Sequence, residues 1–145
     1  FGFFCYTEIA FLGFLCYTEV NNQSVRYRNN CKNEGECTMK RYGSVIAVQP
    51  EKLEEYKKLH ADAWPEVLAM IKKCNIQNYS IYYRDGLLFS YFEYIGDDYA
   101  ADMAKMAADP VTQNWWKHTD PCQKPVDTAK PGEWWAPTEE VFHVD

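Results

Sequence analysis

Residues 76–95 read Ile-Gln-Asn-Tyr-Ser-Ile-Tyr-Tyr-Arg-Asp-Gly-Leu-Leu-Phe-Ser-Tyr-Phe-Glu-Tyr-Ile, and this stretch decides the fold. Both halves are rich in β-branched and aromatic side chains, which suit strands. Asp85-Gly86 separates the halves, and this dipeptide is typical of a two-residue β-hairpin turn. The stretch therefore predicts two antiparallel strands, 76–84 and 87–95, joined by a tight turn.

The segment before the hairpin predicts a strand followed by a helix. Residues 41–49 form a short β-branched run that ends at Pro50. Proline suits the start of a helix, and three glutamates follow in its first turns, near the positive end of the helix dipole. This helix is expected to run to about Cys74, with an irregularity at Pro65.

The segment after the hairpin completes an α+β pattern. Asp97-Asp98 is expected to cap a second, short helix that runs through Ala108 and is closed by Pro110. A proline-rich, irregular stretch then leads to a last strand at residues 139–144. The resulting order, β-α-β-β-α-β, is the ferredoxin-like plan. Helices cover one face of such a sheet, so a second copy of the chain is expected to cover the other, giving a homodimer.

One face of the first helix carries a set of residues suited to acid–base chemistry. Tyr56, His60 and Trp64 are four residues apart, so a helix places the imidazole between two aromatic rings. A histidine framed by aromatics suits a small polar ligand that also has an apolar side. The alternative interpretation is an ordinary inward stripe of an amphipathic helix, formed by positions 53, 56, 60, 64, 67, 71 and 74.

Composition limits the classes of function. The 145 residues fit one domain with a real core, and the formal charge of −6 argues against a nucleic-acid partner. No run of like charges suggests a membrane-surface helix. The six cysteines show neither CxxC nor zinc-type spacing, so reduced thiols in a cytoplasmic protein are expected.

Residues 1–38 differ from the rest and are interpreted as an N-terminal extension of unknown origin. Phe1–Ile9 recurs almost unchanged as Leu12–Val20, an aromatic repeat with an offset of 11 residues. Two copies are too few for a repeat fold. Exposed Phe and Tyr side chains in this extension predict self-association of chains through edge strands.

Several motifs together resemble the L-rhamnose mutarotase family across residues 39–145. They are Glu55-Tyr56, His60 and Trp64-Pro65-Glu66 in the first helix, Asn78-Tyr79-Ser80-Ile81-Tyr82 and Leu87-Leu88-Phe89 in the hairpin, Trp115-Trp116-Lys117, and Glu139-Glu140-Val141-Phe142. Short motifs that agree in order are more specific than any one alone.

The resemblance implies a dimeric α/β barrel of ferredoxin-like protomers. It also implies interconversion of the α and β anomers of a 6-deoxy-hexose, without a metal or organic cofactor. By matching motif, His60 is the expected proton donor, and Tyr56, Tyr79, Trp115 and Trp116 are the expected sugar contacts. Trp134-Trp135 and His143 match no part of the family's catalytic set.

Two other classes of function fit the same fold. One is a non-catalytic dimer that binds a small ligand or self-assembles, since fold does not fix function. The other is a cofactor-free monooxygenase or a haem-degrading enzyme with the same barrel. Anomer exchange of L-rhamnose, measured by NMR, distinguishes both from a mutarotase.

Overall fold

The computed structural model of the chain describes residues 39–144. The predicted extension, 1–38, and its aromatic repeat lie outside the described residues, so the domain boundary stays a prediction. The helices and strands, in chain order, are β1 (Lys40–Val48), α1 (Leu53–Ala61), α2 (Pro65–Lys73), β2 (Ile76–Arg84), β3 (Leu87–Tyr94), α3 (Tyr99–Ala108), α4 (Pro110–Thr119), β4 (Gln123–Lys124) and β5 (Ala136–Thr138). Short 3-10 turns at Pro50–Lys52 and Asp120–Cys122 precede α1 and β4.

The strands form one antiparallel sheet in the order β2-β3-β1-β4, and β5 pairs with the other end of the same edge of β1. Asp85 and Gly86 both have positive φ angles, 50° and 83°, as the predicted two-residue turn requires. The α+β class and the ferredoxin-like strand order predicted from the sequence are confirmed.

Pro65 divides the first predicted helix in two. The prediction of one helix to Cys74 with a local irregularity is wrong, because α1 ends at Ala61 and Pro65 is the first residue of α2. Trp64, which precedes the proline, has extended backbone angles, φ −61° and ψ 131°. A residue before proline is driven out of the helical region by the proline ring, so the chain turns a corner here.

The region after β3 holds two helices where the sequence predicted one. Asp98 caps α3 as predicted, since its carboxylate accepts a hydrogen bond from the amide of Ala101 at 3.0 Å. Pro110 was expected to close the helical region, but it opens α4 instead. Asp109 is the cap of α4 and accepts from the amide of Thr112 at 2.7 Å. Aspartate followed by proline is a helix start, and that signal was not used.

The predicted last strand, residues 139–144, is also wrong. These residues are in no strand of the described chain, and the edge of β1 is taken by β4 and β5. Glu140 is held to β1 by an ion pair with Arg41, 2.7 Å between oxygen and nitrogen. Beyond it, Val141, Phe142 and Val144 are 89%, 80% and 72% exposed. The strand on this edge of β1 is β5, which ends at Thr138, one residue before the predicted start.

Within the described range, no helix is long and apolar enough to cross a membrane. Cys74 and Cys122 are both buried free thiols, and burial raises the pKa of each.

Candidate functional site

The inner face of the sheet carries two separate hydrophobic clusters beneath the helices. The first contains Cys74, Ile76, Phe92, Tyr94, Met103 and Met106. The second contains Ile46, Val48, Tyr56, Leu88 and Cys122. Ser90 lies on β3 between Leu88 and Phe92, is buried, and pairs with Ser44 on β1. The middle of the inner face is therefore polar, which is where a ligand with hydroxyl groups can be bound.

Tyr56 and His60 enter this region from α1, one helical turn apart. Their rings stack with centroids 4.1 Å apart. Tyr56 is buried, and burial is the main cause of its raised pKa, so the phenol stays protonated at neutral pH. A protonated phenol can act as a hydrogen-bond donor but not as a base.

The backbone fixes the tautomer of His60. Its Nδ1 lies 3.0 Å from the carbonyl oxygen of Tyr56. A carbonyl oxygen only accepts, so Nδ1 carries the hydrogen and the neutral ring keeps Nε2 free as an acceptor. The residue retains solvent exposure, but the aromatic cover on its ring lowers the pKa of the imidazole below 6.5. His60 can thus take up and return a proton at Nε2.

Trp115 supplies the second aromatic surface beside His60. It is buried on α4, and its ring meets the imidazole edge-on at 5.3 Å between centroids. Trp64 also lies against Trp115, at 5.4 Å between ring centroids. The corner at Pro65 therefore places Trp64 behind the residue that covers the histidine.

Trp116 points away from its neighbour. It packs beside Met70 and Ile71 against the first hydrophobic cluster, whereas Trp115 faces His60. Adjacent residues on a helix are about 100° apart, so their side chains diverge.

A β-bulge positions Tyr79. Gln77 pairs with Glu93 and Ser80 pairs with Tyr91, so Asn78 and Tyr79 together oppose one residue of β3. Asn78 adopts the left-handed conformation, φ 49°, which asparagine tolerates. The Tyr79 residue is 40% exposed, but its hydroxyl lies inside and hydrogen-bonds Ser90. Burial of that hydroxyl raises the pKa of Tyr79.

Tyr79 and Tyr56 approach each other across the polar region. Their electrostatic interaction further raises the pKa of Tyr56. The structure therefore brings Tyr56, His60, Trp115 and the Tyr79 hydroxyl to one region, whereas Trp116 packs against the first hydrophobic cluster.

A cavity of about 310 Å³ opens between α1 and the β2–β3 hairpin. This is at the small end of the range for ligand pockets. Its lining residues are Leu53, Tyr56, Lys57, His60, Ala61, Ile81, Tyr83 and Leu88. The cavity is not lined by Tyr79, Trp115 or Trp116. It therefore includes only the part of the candidate site nearest α1. We place the site by the convergence of polar groups around Tyr56 and His60, because the chemistry depends on these groups.

The sequence missed two polar residues of this region, Gln123 and Trp134. Gln123 donates from Nε2 to the Tyr56 oxygen at 3.3 Å, and the Trp134 indole donates to Gln123 Oε1 at 3.2 Å. Neither residue belongs to a motif that matched the family. Trp134-Trp135 in a proline-rich stretch was the available signal, because a tryptophan pair rarely remains unpacked.

Within residues 39–144 no cluster of three or more His, Cys, Asp or Glu has the arrangement of a metal site. The polar groups that converge are phenol, imidazole, indole, hydroxyl and amide. This set suits hydrogen bonding to a neutral, hydroxyl-bearing molecule, and the aromatic faces suit its C–H surface.

Comparison with known proteins finds one family model and several relatives that match most of the chain. The family model described as L-rhamnose mutarotase matches residues 41–144. An L-rhamnose mutarotase of Oceanobacillus iheyensis is 37% identical over 109 residues, 74% of this chain and 100% of that protein. One from Bacillus subtilis is 36% identical over the same length, with the same coverage. The crystal structure of an L-rhamnose mutarotase from Formosa agariphila superposes with a TM-score of 0.57 at 21% identity. That match covers 73% of this chain and 99% of the other, and it bears on the fold alone.

Proposed function

Because this chain belongs to the L-rhamnose mutarotase family, we propose that it interconverts the α and β anomers of L-rhamnose or a similar 6-deoxy-hexose. The observation that carries the proposal is the state of His60. Its Nδ1 is engaged by the Tyr56 carbonyl, and its Nε2 is free beside aromatic walls.

The proposed reaction opens and recloses the pyranose ring. Neutral His60 takes the proton of the anomeric hydroxyl at Nε2 while the bond between C1 and the ring oxygen breaks. Its electrons stay on the ring oxygen, which takes the proton back from Nε2–H, and C1 becomes the aldehyde carbon. Both oxygens are bonded to C1, so one nitrogen can serve both.

Ring closure reverses these steps. Rotation about the C1–C2 bond presents the other face of the aldehyde, and the ring oxygen attacks it. His60 takes the proton of that hydroxyl and returns it to the new anomeric oxygen. One well-placed acid–base group contributes roughly 10²–10⁴-fold. The proposed steps use neither a metal nor an organic cofactor.

The remaining predicted site residues are proposed to bind the sugar. Tyr56 and Tyr79 keep raised pKa values, so we assign their hydroxyls to hydrogen bonding rather than to proton abstraction. Trp115 and Trp116 are proposed to cover the C–H faces and the methyl group. Of the two, Trp115 has the more direct relation to His60, since their rings are in contact.

We further propose a homodimer in which the uncovered sheet faces pack together. Tyr82 and Phe89 are cross-strand partners on that face and are 64% and 40% exposed. The exposed side chains of Val141, Phe142 and Val144 add apolar surface that an oligomer would bury. We also propose a cytoplasmic location, which agrees with the two free thiols.

The test is NMR exchange spectroscopy on L-rhamnose at equilibrium, with and without the protein, repeated with L-fucose. Cross-peaks between the two anomeric protons should grow faster with the protein present. A rate for both sugars equal to that of buffer, together with chemical-shift changes on the protein, would indicate a binding module instead. The L-fucose measurement shows which deoxy-sugar is preferred.

A further inference from the structure

Gln123 connects the candidate site to the segment that follows it. It is the first residue of β4 and only 6% exposed. Its side chain reaches the Tyr56 hydroxyl on one side and the Trp134 indole on the other. A chain of two hydrogen bonds thus runs from the loop before β5, through Gln123, to α1.

The direction of this chain is set by Trp134. An indole nitrogen can only donate, so the atom of Gln123 that faces it must be the amide oxygen. The amide nitrogen is then turned to Tyr56 and donates to the phenol oxygen. With its oxygen accepting from Gln123, the Tyr56 hydroxyl must direct its own hydrogen elsewhere.

Tyr56 and His60 both line the cavity of about 310 Å³, so open space lies beside Tyr56 on the side of His60. Tyr79 lies close enough to interact electrostatically with Tyr56, and the Tyr79 hydroxyl bonds Ser90. The aromatic ring of His60 lies against the ring of Tyr56. A hydrogen that leaves the Gln123 side therefore points to where the proposed sugar binds.

We propose that Gln123 and Trp134 are positioning residues that hold the Tyr56 hydroxyl as a hydrogen-bond donor toward an acceptor oxygen of the sugar. This inference rests on the proposed function. The proposed role depends on which group donates and which accepts in each of the two hydrogen bonds, and not only on whether the bonds are present. Reversing that order while keeping the side chain's size should therefore impair substrate binding.

The variant Gln123→Glu makes this reversal. A carboxylate only accepts, so the Tyr56 hydroxyl must donate to it and offers the sugar a lone pair instead. We expect KM for L-rhamnose to rise about tenfold, the effect of one hydrogen bond, with a smaller change in kcat. Once the introduced carboxyl group is protonated it can again donate to Tyr56, so the defect should shrink as the pH is lowered.

The quantity to measure is the ratio of variant to parent kcat/KM across pH 5 to 8, with the His60 titration followed by NMR in both proteins, because the introduced carboxylate also acts on the imidazole. A positioning role predicts a ratio that recovers toward one at low pH. A purely structural role predicts a ratio that is flat with pH, and this result would overturn the proposal.

A second variant, with a smaller change, tests the proposal if Gln123→Glu does not fold. Trp134→Phe removes the indole donor, together with some ring volume that Trp135→Phe also removes, and leaves the amide of Gln123 free to turn its oxygen to Tyr56. Its KM should rise by a smaller factor, while the matched variant Trp135→Phe, at the neighbouring indole, should leave KM unchanged. Equal KM values for both variants and the parent would contradict the assigned role of Trp134.

Failure of the proposed function and failure of the positioning role would give different results. A parent protein that does not accelerate anomer exchange overturns the proposed function and, with it, this proposal. An active parent with a flat ratio for Gln123→Glu and an unchanged KM for Trp134→Phe overturns the positioning role alone.

Discussion

His60 donates a hydrogen bond from Nδ1 to the carbonyl oxygen of Tyr56 at 3.0 Å, and the two rings stack at 4.1 Å. One residue thus fixes both the tautomer and the orientation of the proposed catalytic ring. The spacing of four residues along α1 is sufficient for both contacts, because side chains one turn apart lie on the same face.

The variant His60→Ala is expected to lose the catalysed anomer exchange by roughly 10²–10⁴-fold, the usual contribution of one acid–base group. Fold and dimerisation should persist, since the residue is exposed and belongs to neither hydrophobic cluster. NMR exchange spectroscopy measures the activity and circular dichroism the fold. His118→Ala is the matched control, because this exposed histidine also contacts Trp64. An active His60→Ala variant would make the histidine structural.

The pH dependence of the exchange should follow the lowered pKa of His60. Its neutral form begins the proposed cycle, so kcat/KM should be constant near neutral pH and should fall as acid protonates Nε2. Burial lowers the pKa of this imidazole, so the midpoint should lie below 6.5. A ring-proton NMR titration of His60 checks the assignment independently. A midpoint above 6.5, or a rate that rises in acid, would contradict the mechanism.

The hairpin and the helix motif were predictable because they depend on local signals. Asp85-Gly86 can form its turn whatever the rest of the chain does, and the spacing of Tyr56 and His60 acts within a single helix. Gln123 reaches Tyr56, which is 67 residues earlier in the chain, only after the domain has folded. Trp134 reaches Gln123 from a different segment, 11 residues later. No local pattern encodes such a contact, so the sequence left both residues without a role.

The errors in the predicted helices and in the predicted last strand have different causes. Prolines 65 and 110 were interpreted as helix breakers, whereas each is the first residue of a new helix. Residues 139–144 have the composition of a strand, but the strand that pairs with this edge of β1 is β5, which ends at Thr138. The meaning of each proline was recoverable from the sequence, whereas the residue at which the pairing stops was not.

Asp102 should make a large contribution to stability. This buried carboxylate accepts from Lys105 at 2.6 Å, Asn75 at 2.6 Å and Tyr94 at 2.9 Å, and joins α3 to the sheet. We expect Asp102→Asn to lower the free energy of unfolding by about 3 kcal/mol at pH 7, since one of these donors would then face an amide N–H. Urea denaturation measures the loss, and exposed Asp127→Asn is the control.

The loss in Asp102→Asn should also depend on pH. The hydrogen bond from Lys105 is the first cause of the lowered pKa of Asp102. A lowered folded-state pKa gives stability that is present above the ordinary value of 3.8 and lost as the pH falls through the folded value. The difference between parent and variant should therefore narrow below pH 4. A difference that stays constant down to pH 2 would contradict this account.

The contribution of Asp120 to stability should change with pH in the opposite direction to that of Asp102. Burial raises its pKa from 3.8 to about 6, so its charge opposes folding. As the pH rises from 4 to 6 the unfolded carboxyl ionises first, and the parent loses stability over that interval. Asp120→Asn should raise the free energy of unfolding by about 1–2 kcal/mol at pH 8, less than the full shift would give because solvent still screens this half-buried group. At pH 4 the gain should be almost nothing. Thermal unfolding at both pH values checks this, and an equal gain at both would be inconsistent with it.

The proposed dimer can be tested at its centre. Phe89 lies between Val45 and Tyr82 on the uncovered face of the sheet. Phe89→Lys should give a monomer, because a charge buried between two sheets is strongly unfavourable. Light scattering after size-exclusion chromatography measures the mass. Leu68→Lys, at a residue 47% exposed on α2, should leave the mass of the parent unchanged. A dimeric Phe89→Lys variant would move the interface elsewhere.

The bulge at Asn78 changes which residue numbers of β2 point inward, from even before the bulge to odd after it. Inward side chains of β2 come from odd positions at Tyr79 and Ile81, but from an even position at Ile76, before the inserted residue. The inserted residue keeps Ile76 and Tyr79 on the same face of the sheet, although they are an odd number of positions apart. Deleting Asn78 would force a choice, either exposing Ile76 to solvent or turning the Tyr79 phenol out of the sugar's reach.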